Sequence, residues 1–214
     1  MTTRIIPLLA ALAIAFANSF APAQTISWIE FNLIPESVLW FEGTSSLHDF
    51  KCEAKNLDGV MKMDSLAFIK SAELLAGIVD GKVSIPVKSL ESGKSEMNEK
   101  MFKALKEKEH PFIIYELMSA EMAETPERSS EWITLMTKGK LLVAGVERVI
   151  QMEVKCRRLS DNKIRFTGSK TLFMTDFGIK PPSMMMGVIK TGNEIVVHFD
   201  LVLMAESSAK PILD

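Results

Sequence analysis

Cysteine and histidine are scarce in this sequence, and neither sign of charge is in large excess. It has two cysteines and three histidines among 214 residues, and its formal net charge is −2. A nearly neutral chain lacks the basic surface that binds nucleic-acid phosphates, so we expect no nucleic-acid partner. His48, His110 and His198 are scattered singly, and two cysteines do not make a Cys-x-x-Cys site. The sequence therefore predicts no metal centre and no other cofactor.

The apolar run near the start of the chain, residues 5–17, is well short of the roughly 20 residues that cross a bilayer. It follows a single cation, Arg4, and precedes Ala21-Pro22-Ala23. Residues 1–23 thus have the charged start, apolar middle and small-residue end of a secretory signal peptide. We expect export, cleavage before Gln24, and no stable membrane insertion of the mature chain.

Both cysteines, Cys52 and Cys156, lie in the part expected to be exported, where an oxidising compartment permits a disulfide. The sequence does not contain the distance that would decide whether they pair. Two alternatives therefore stay open, a Cys52–Cys156 bridge and two buried free thiols.

The rest of the chain mostly alternates between apolar and polar residues. In VSIPVKSL, Val83, Ile85 and Val87 share one face, and RVIQMEVKCR and EIVVHFDLVLMA alternate likewise, which is typical of strands. Further strands are predicted for SVLWFEG, LHDFKCEA, PFIIYEL, WITLMTKGKLLVAG and KIRFTGSKTLFM. Turns are predicted at Asp58-Gly59, Asp80-Gly81, Asp161-Asn162 and Gly192-Asn193. About eight antiparallel strands with short connections indicate an all-β sandwich or closed barrel.

One segment has a helical period instead. In ESGKSEMNEKMFKALKEKEHP, Met97, Met101 and Leu105 recur every four residues and form an apolar stripe. Ser95 is the expected N-cap, and Pro111 ends the run. We expect this single amphipathic helix to cover an opening or a seam of the sheet.

The stretch GTSSLHDF, residues 43–50, contains serine, histidine and aspartate, the side chains of a hydrolase triad. However, these residues are neighbours, His48 and Asp49 would face opposite sides of a strand, and there is no Gly-x-Ser-x-Gly elbow. The favoured interpretation is a bend in which short polar side chains satisfy free amides. A hydrolase that uses Ser45 or Ser46 with His48 is the less favoured alternative.

Methionine is abundant, with 14 residues and a cluster at Met184, Met185 and Met186. Methionine adapts to irregular apolar surfaces. The cluster is interpreted either as a plug over the barrel end or as a lip that lines a ligand pocket, and the helix stripe has the same two interpretations. An all-β chain with such a helix and loop fits an apolar pocket better than a reaction centre.

Four segments, in this order, resemble the YceI-like family of bacterial periplasmic proteins. They are LWFEGTSSLHDFKCEA, VSIPVKSLESGKSEMNEKMFKALKEKEHPFIIYEL, GKLLVAGVERVIQMEV and LFMTDFGIKPP…MGVIKTGNEIVVHFDLVL. The resemblance extends from about Ser37 to Leu203 and includes the order of strands, helix and turns. Together with the signal peptide (1–23) and a polar C-terminal segment that is expected to be a flexible tail (206–214), it predicts an N-terminal lead-in (24–36) and a YceI-like barrel domain (37–205).

The resemblance implies an eight-stranded antiparallel lipocalin-like barrel with an elongated apolar cavity, located in the periplasm. Members of the family are described as binding polyisoprenoids or other long lipid chains and amides without catalysis. Commoner members carry an Arg-Asp pair before the apolar positions of the helix and an Asn-Arg pair before Asp-Phe-Gly. Those places read Met97-Asn98 and Met174-Thr175 here, which favours an apolar tail over a pyrophosphate headgroup as the recognised part.

We therefore expect a non-catalytic protein that carries or sequesters a polyisoprenoid or another lipid, as a monomer or a homodimer. The candidate ligand-binding residues are Phe41, Phe50, Ile85, Val87, Met97, Met101, Tyr115, Phe166, Phe173, Phe177, Met184 and Phe199. The main alternative is a structural or interaction module whose barrel is filled. A hollow interior distinguishes the two.

Overall fold

A computed structural model describes residues 28–64, 77–123, 131–184 and 189–206. The predicted signal peptide and most of the predicted tail lie outside these residues. Within them there are twelve β-strands and one α-helix, α1 (Ser95–Ala104). The strands are β1 (Trp28–Leu33), β2 (Val38–Ser45), β3 (Phe50–Ala54), β4 (Asp58–Asp64), β5 (Ile78–Pro86), β6 (Leu90–Glu91), β7 (Phe112–Met122), β8 (Ile133–Val143), β9 (Val146–Ser160), β10 (Lys163–Phe173), β11 (Ser183–Met184) and β12 (Ile189–Ala205).

The strands form a closed antiparallel barrel of eight staves, which confirms the predicted fold class. Three staves are each built from two strands, β1 with β2, β3 with β4, and β5 with β6, while β7, β8, β9, β10 and β12 supply one each. The seventeen-residue β12 closes the barrel, because it pairs with β10 on one side and with β1 and β2 on the other. Closure pairs most of the strand edges in the described part of the chain, apart from the gap between β9 and β10 beyond Gly168.

The first stave differs from the prediction, which placed residues 24–36 in a lead-in outside the barrel. β1 pairs with both β4 and β12 and so belongs to the wall. Between β1 and β2, Pro35 cannot donate to a ladder. Ser37 bridges this break with its side chain, donating to the carbonyl of Val202 at 3.1 Å and accepting from the amide of Val202 at 2.9 Å.

The two ends of the barrel are different. At the far end, where β1 begins and β12 ends, apolar side chains fill the interior. The fully buried members of this cluster are Phe31, Met63, Leu135, Ile164 and Cys156. At the other end, called here the helix end, lie α1, the bend 46–49 and a 3-10 turn, Met174–Phe177. No helix in the described part of the chain is long and apolar enough to cross a membrane.

The 3-10 turn completes the wall where two strands separate. β10 pairs with β9 as far as Gly168, whereas it pairs with β12 all the way to Phe173. The turn packs beside β9, and the Nε of Arg148 donates to the carbonyl of Asp176 at 2.8 Å. Phe177 and Ile179 are buried against Leu141 and Val143 in a second apolar cluster. This cluster bounds the interior below the turn.

Candidate functional site

The barrel interior is hollow between its two apolar clusters. The cavity has a volume of about 520 Å³ and is lined almost throughout by apolar side chains. It reaches from core residues such as Phe166 and Leu203 up to Leu47 and Lys94 at the helix end. Leu47 is 66% exposed, so the cavity meets solvent beside the bend. Ligand sites commonly measure 300–1,000 Å³, and this volume suits one elongated ligand.

Strand alternation determines which side chains line the cavity. On β12, every second residue from Ile195 to Leu203 lines it, because successive side chains of a strand point to opposite faces. Ten of the twelve candidate residues lie on the lining. They are Phe41, Phe50, Ile85, Met97, Met101, Tyr115, Phe166, Phe173, Phe177 and Phe199. Their contact with a ligand stays a prediction.

Val87 is a correction to the candidate set, since it is not among the described residues that line the cavity. β5 ends at Pro86, and Val87 opens the 3-10 turn Val87–Ser89, where the strand alternation no longer holds. Its side chain is 1% exposed and its amide donates to the carbonyl of Pro111 at 2.9 Å. Val87 therefore packs beneath the chain that leaves α1. Met184 lies at the edge of the described residues, and its side chain lies outside them.

Helix α1 covers the cavity with its apolar stripe, as predicted. Met97, Met101 and Leu105 all line the cavity. The prediction of Ser95 as N-cap is wrong, however. The helix already begins at Ser95, so Lys94 occupies the N-cap position, and no side-chain hydrogen bond caps the helix there. Instead Asn98, which is 8% exposed, accepts from the amide and the hydroxyl of Ser92 at 2.9 and 2.6 Å and donates to Glu91 at 2.9 Å. Asn98 thus fixes the entry into the helix.

The bend 46–49 is held by hydroxyl groups, as the favoured interpretation of GTSSLHDF predicts. Ser45 donates to the carbonyl of His48 at 2.6 Å and accepts from the amides of Leu47 and His48. The hydroxyl of Ser46 accepts from the amide of Lys190 at 3.0 Å, which ties the bend to β12. The imidazole of His48 contacts the carbonyl of Asp49 at 2.9 Å and the Nζ of Lys94 at 3.5 Å. The Ser45 hydroxyl donates its proton to a backbone carbonyl and not to the imidazole of His48. Ser45 and His48 therefore lack the geometry of a nucleophile and its base.

Tyr115, the single tyrosine of the sequence, is a cavity-lining residue, while its hydroxyl group is buried inside the wall. Its ring lies directly against Gly139 on β8, where a Cβ atom would collide with it. Thr137 lies nearby but donates its own proton to the carbonyl of Met152 at 3.0 Å. Among the described residues, the buried Tyr115 hydroxyl has no hydrogen-bond partner of normal geometry. Burial raises the pKa of Tyr115, and the neighbouring Thr137 offsets part of that rise.

Sequence reasoning did not assign Lys170, which also lines the cavity. A lysine on a strand is ordinarily expected to face solvent. The signal was its position, since Lys170 has the same parity as Phe166 and Leu172, which line the cavity, and as Ile164, which is buried in the apolar cluster. Counting along KIRFTGSKTLFM would have placed it inside the barrel.

Both cysteines are free and buried, so of the two alternatives the structure has the free thiols and not the bridge. Cys52 lies on β3 and Cys156 on β9, four staves apart in a ring of eight and hence on opposite walls. Facing walls pack about 10 Å apart, whereas a disulfide needs Cα atoms within about 7 Å. Burial raises the pKa of each thiol to about 12.

The family follows from a match over most of the chain. Residues 35–203 match the family model described as YceI-like domain. The chain belongs to the YceI-like family. No curated protein matches it.

Solved structures share the fold of this YceI-like chain at low sequence identity. A polyisoprenoid binding domain from Saccharophagus degradans, implicated in plant cell wall breakdown, has 17% identity and a TM-score of 0.62, with 82% of this chain and 98% of that chain covered. BcnA from Burkholderia cenocepacia has 15% identity and a TM-score of 0.59, with 78% and 96% covered. The YceI protein of Campylobacter jejuni has 15% identity and a TM-score of 0.57, with 74% and 86% covered.

Proposed function

We propose that this protein binds one long apolar molecule, an isoprenoid or another lipid chain, inside its barrel and carries or sequesters it in the periplasm without converting it. The observation that carries the proposal is the apolar cavity of about 520 Å³ beneath α1. A filled structural barrel would leave no such space. The description of the Saccharophagus degradans neighbour as polyisoprenoid binding supports the same ligand class.

The driving force is burial of the chain. Each Å² of apolar surface removed from water contributes about 25 cal/mol before the ordering of ligand and protein is subtracted. The methionines of α1 and the phenylalanines of β2, β3 and β12 supply adaptable and flat apolar contacts. No charged partner is needed for the tail, so tail length is expected to determine affinity more than tail identity.

The first test is the content of the protein purified from its own host. Native mass spectrometry should show one long-chain lipid bound to each protein molecule, and solvent extraction should release it. After delipidation, the protein should take up prenyl and acyl chains again. Protein that is empty when isolated and takes up neither kind of chain would contradict the proposal and favour the filled-module alternative.

A matched pair of variants on α1 links uptake to this cavity. Met101→Gln places an amide of similar length on the lining, and a buried amide without a partner costs about 1–3 kcal/mol, or about fivefold to 150-fold in affinity. Glu99→Gln introduces the same amide on the exposed side of the helix and should bind like wild type. Equal affinities of the two variants would place binding elsewhere.

Export is tested separately. Expression of the full sequence followed by cell fractionation should place the protein in the periplasm, and N-terminal sequencing of that fraction should begin at Gln24. A protein that starts at residue 1 or 2 in the cytoplasmic fraction would contradict this part of the proposal alone.

A further inference from the structure

The cavity contains a cation on its inner face. Along β10, Lys170 and Leu172 are half-buried and line the cavity, as does the buried Phe166, whereas the intervening Ser169 and Thr171 are exposed. The alternation of the strand thus directs the Lys170 side chain toward the interior. This part of β10 also lies above Gly168, where the pairing with β9 has ended.

The surroundings of Lys170 are apolar. Its register partner on β12 is Val197, which lines the cavity as well. Below it, the ring of Phe199 lies across Gly168, where a Cβ atom would come within 2.6 Å of the ring. In the described part of the chain, no carboxylate lies within ion-pair distance of the Lys170 ammonium. By contrast, Arg165 on the outer face of the same strand pairs with Asp200.

The other lysines on the lining differ from Lys170 in having protein partners. Lys82 pairs with Glu116 at 2.8 Å and Lys100 with Glu96 at 2.7 Å. Lys94 contacts His48 at 3.5 Å. Lys170 is the remaining lysine of the described lining, and it has no such partner.

Lys170 is half-buried, so water still reaches part of its side chain, but a ligand that covers an unpaired cation makes it costly unless something neutralises it. The long stem of a lysine also lets its ammonium turn toward the cavity mouth while the methylene groups stay against the wall. Because Lys170 lines the cavity, its ammonium is expected to reach the end of a ligand that is bound there. A ligand with a negative group at one end would supply the missing partner.

We propose that the ligand is a single-chain lipid with an anionic end, a carboxylate or a phosphate, and that the Lys170 ammonium binds this end. The inference rests on the proposed function, because it assigns the polar end of the same ligand. The apolar residues hold the chain, and Lys170 selects among chains by their end groups.

The test compares ligands that share a tail and differ in their end. Equilibrium dialysis of delipidated protein at pH 8 would measure binding of radiolabelled hexadecanoic acid against hexadecanamide, and of farnesyl phosphate against farnesol. A charge-assisted bond predicts that the anion of at least one pair binds about tenfold or more tightly than its neutral partner. Preference in the first pair alone identifies a carboxylate ligand, in the second alone a phosphate ligand, and in both a general anion site.

Three variants assign this preference to Lys170. Lys170→Met keeps the stem and removes the charge, so it should lose the anion preference while neutral ligands bind as before. Lys170→Arg should retain the preference, and Lys138→Met, on the exposed face of β8, should leave it unchanged. Because Lys170→Met removes an unpaired cation from an apolar wall, its melting temperature should equal or exceed that of wild type.

Two results would overturn the inference. The first is equal binding of the anionic and the neutral ligands to wild type. The second is an anion preference that persists in Lys170→Met. In both cases the proposed function stands, because the chains still bind. If none of the four ligands binds, the proposed function fails and the inference fails with it.

Discussion

The outer end of the Phe50 ring lies against Gly43, its register partner on the neighbouring strand. A Cβ atom at position 43 would come within 2.5 Å of the ring. Held in this way, Phe50 meets Phe41 edge-on, with ring centroids 6.5 Å apart and an angle of 84° between the rings. Phe41 and Phe50 both line the cavity, so the absence of a side chain at Gly43 helps to determine the shape of the space for a ligand.

Gly43→Ala should therefore displace the Phe50 ring. Overpacking of this kind costs about 1–3 kcal/mol of unfolding free energy. Chemical denaturation of the single variants and of Gly43→Ala with Phe50→Leu measures the coupling between the two sites, which should exceed about 1 kcal/mol. Gly81→Ala is the matched control, since its Cβ would meet Leu117 only at an ordinary 3.4 Å. Equal costs for the two alanine variants would contradict the packing argument.

The same glycines show where sequence reasoning succeeded and failed. The long strands and α1 could be predicted because their apolar residues repeat with a clear period over ten or so positions. Of the predicted turns, Asp161-Asn162 is one, but Gly81 and Gly192 lie inside β5 and β12. The ladder of β12 with β2 shifts register near Gly192, and a Cβ there would collide with the hydroxyl of Thr44. Gly192 serves close packing beside a register shift, whereas Gly81 is a strand residue in an ordinary contact, and a sequence pattern does not distinguish either of them from a turn glycine.

The candidate site was predictable to a similar degree. Strand parity places Ile85, Phe166 and Phe199 on the lining, because the barrel keeps one face of each strand inward. Val87 departs from the pattern because β5 ends one residue earlier, at a proline. Lys170 has the correct parity but the wrong polarity for an interior position. The sequence alone therefore does not decide on which face Lys170 lies, and the reason for a lysine on the inner face becomes clear only from the cavity that it lines.

Asn98 should be essential to the stability of the helix end. Asn98→Ala leaves the amide and hydroxyl of Ser92 without their acceptor and should lower the unfolding free energy by about 1–3 kcal/mol. Asn98→Asp keeps an acceptor for Ser92 but places a second carboxylate beside Glu91. That variant should be destabilised at pH 7 and partly recover as the pH falls and a carboxyl group of the pair is protonated. Thermal unfolding of the three proteins from pH 4 to pH 8 checks this, and a pH-independent deficit in Asn98→Asp would contradict it.

The buried thiols predict low reactivity in the native state. With a pKa of about 12, each thiol is ionised at pH 8 to only about one part in 10⁴, and thiolate is the reactive form. Mass spectrometry after alkylation should therefore show no modification of folded protein and two modified cysteines in denatured, unreduced protein. Denatured protein without reactive thiols would instead indicate the Cys52–Cys156 bridge.

The same pKa shift links stability to alkaline pH. The folded pKa of each thiol lies above its unfolded value near 9, so the unfolded chain loses protons first as the pH rises. The contribution of each protonated thiol to the unfolding free energy is complete below about pH 9 and is lost between about pH 9 and about pH 12. In that range each thiol lowers the unfolding free energy by about 1.4 kcal/mol for every pH unit. Unfolding free energies from pH 8 to pH 11 should therefore fall less steeply in Cys52→Ala than in wild type. Parallel curves for the two proteins would contradict the linkage.

Lys106 holds a left-handed conformation at the end of α1, with φ of 53°. Its amide donates to the carbonyl of Lys103 at 3.1 Å, and the amide of Glu107 donates to Phe102 at 3.0 Å, the pair of bonds that ends helices at a left-handed residue. A side chain costs about 1–2 kcal/mol in this region, whereas glycine adopts it freely. Lys106→Gly should therefore raise the unfolding free energy by about 1 kcal/mol and leave ligand binding unchanged. Lys106→Ala removes the same charge without relieving the strain, so a gain of equal size in the alanine variant would attribute the effect to charge and contradict the backbone argument.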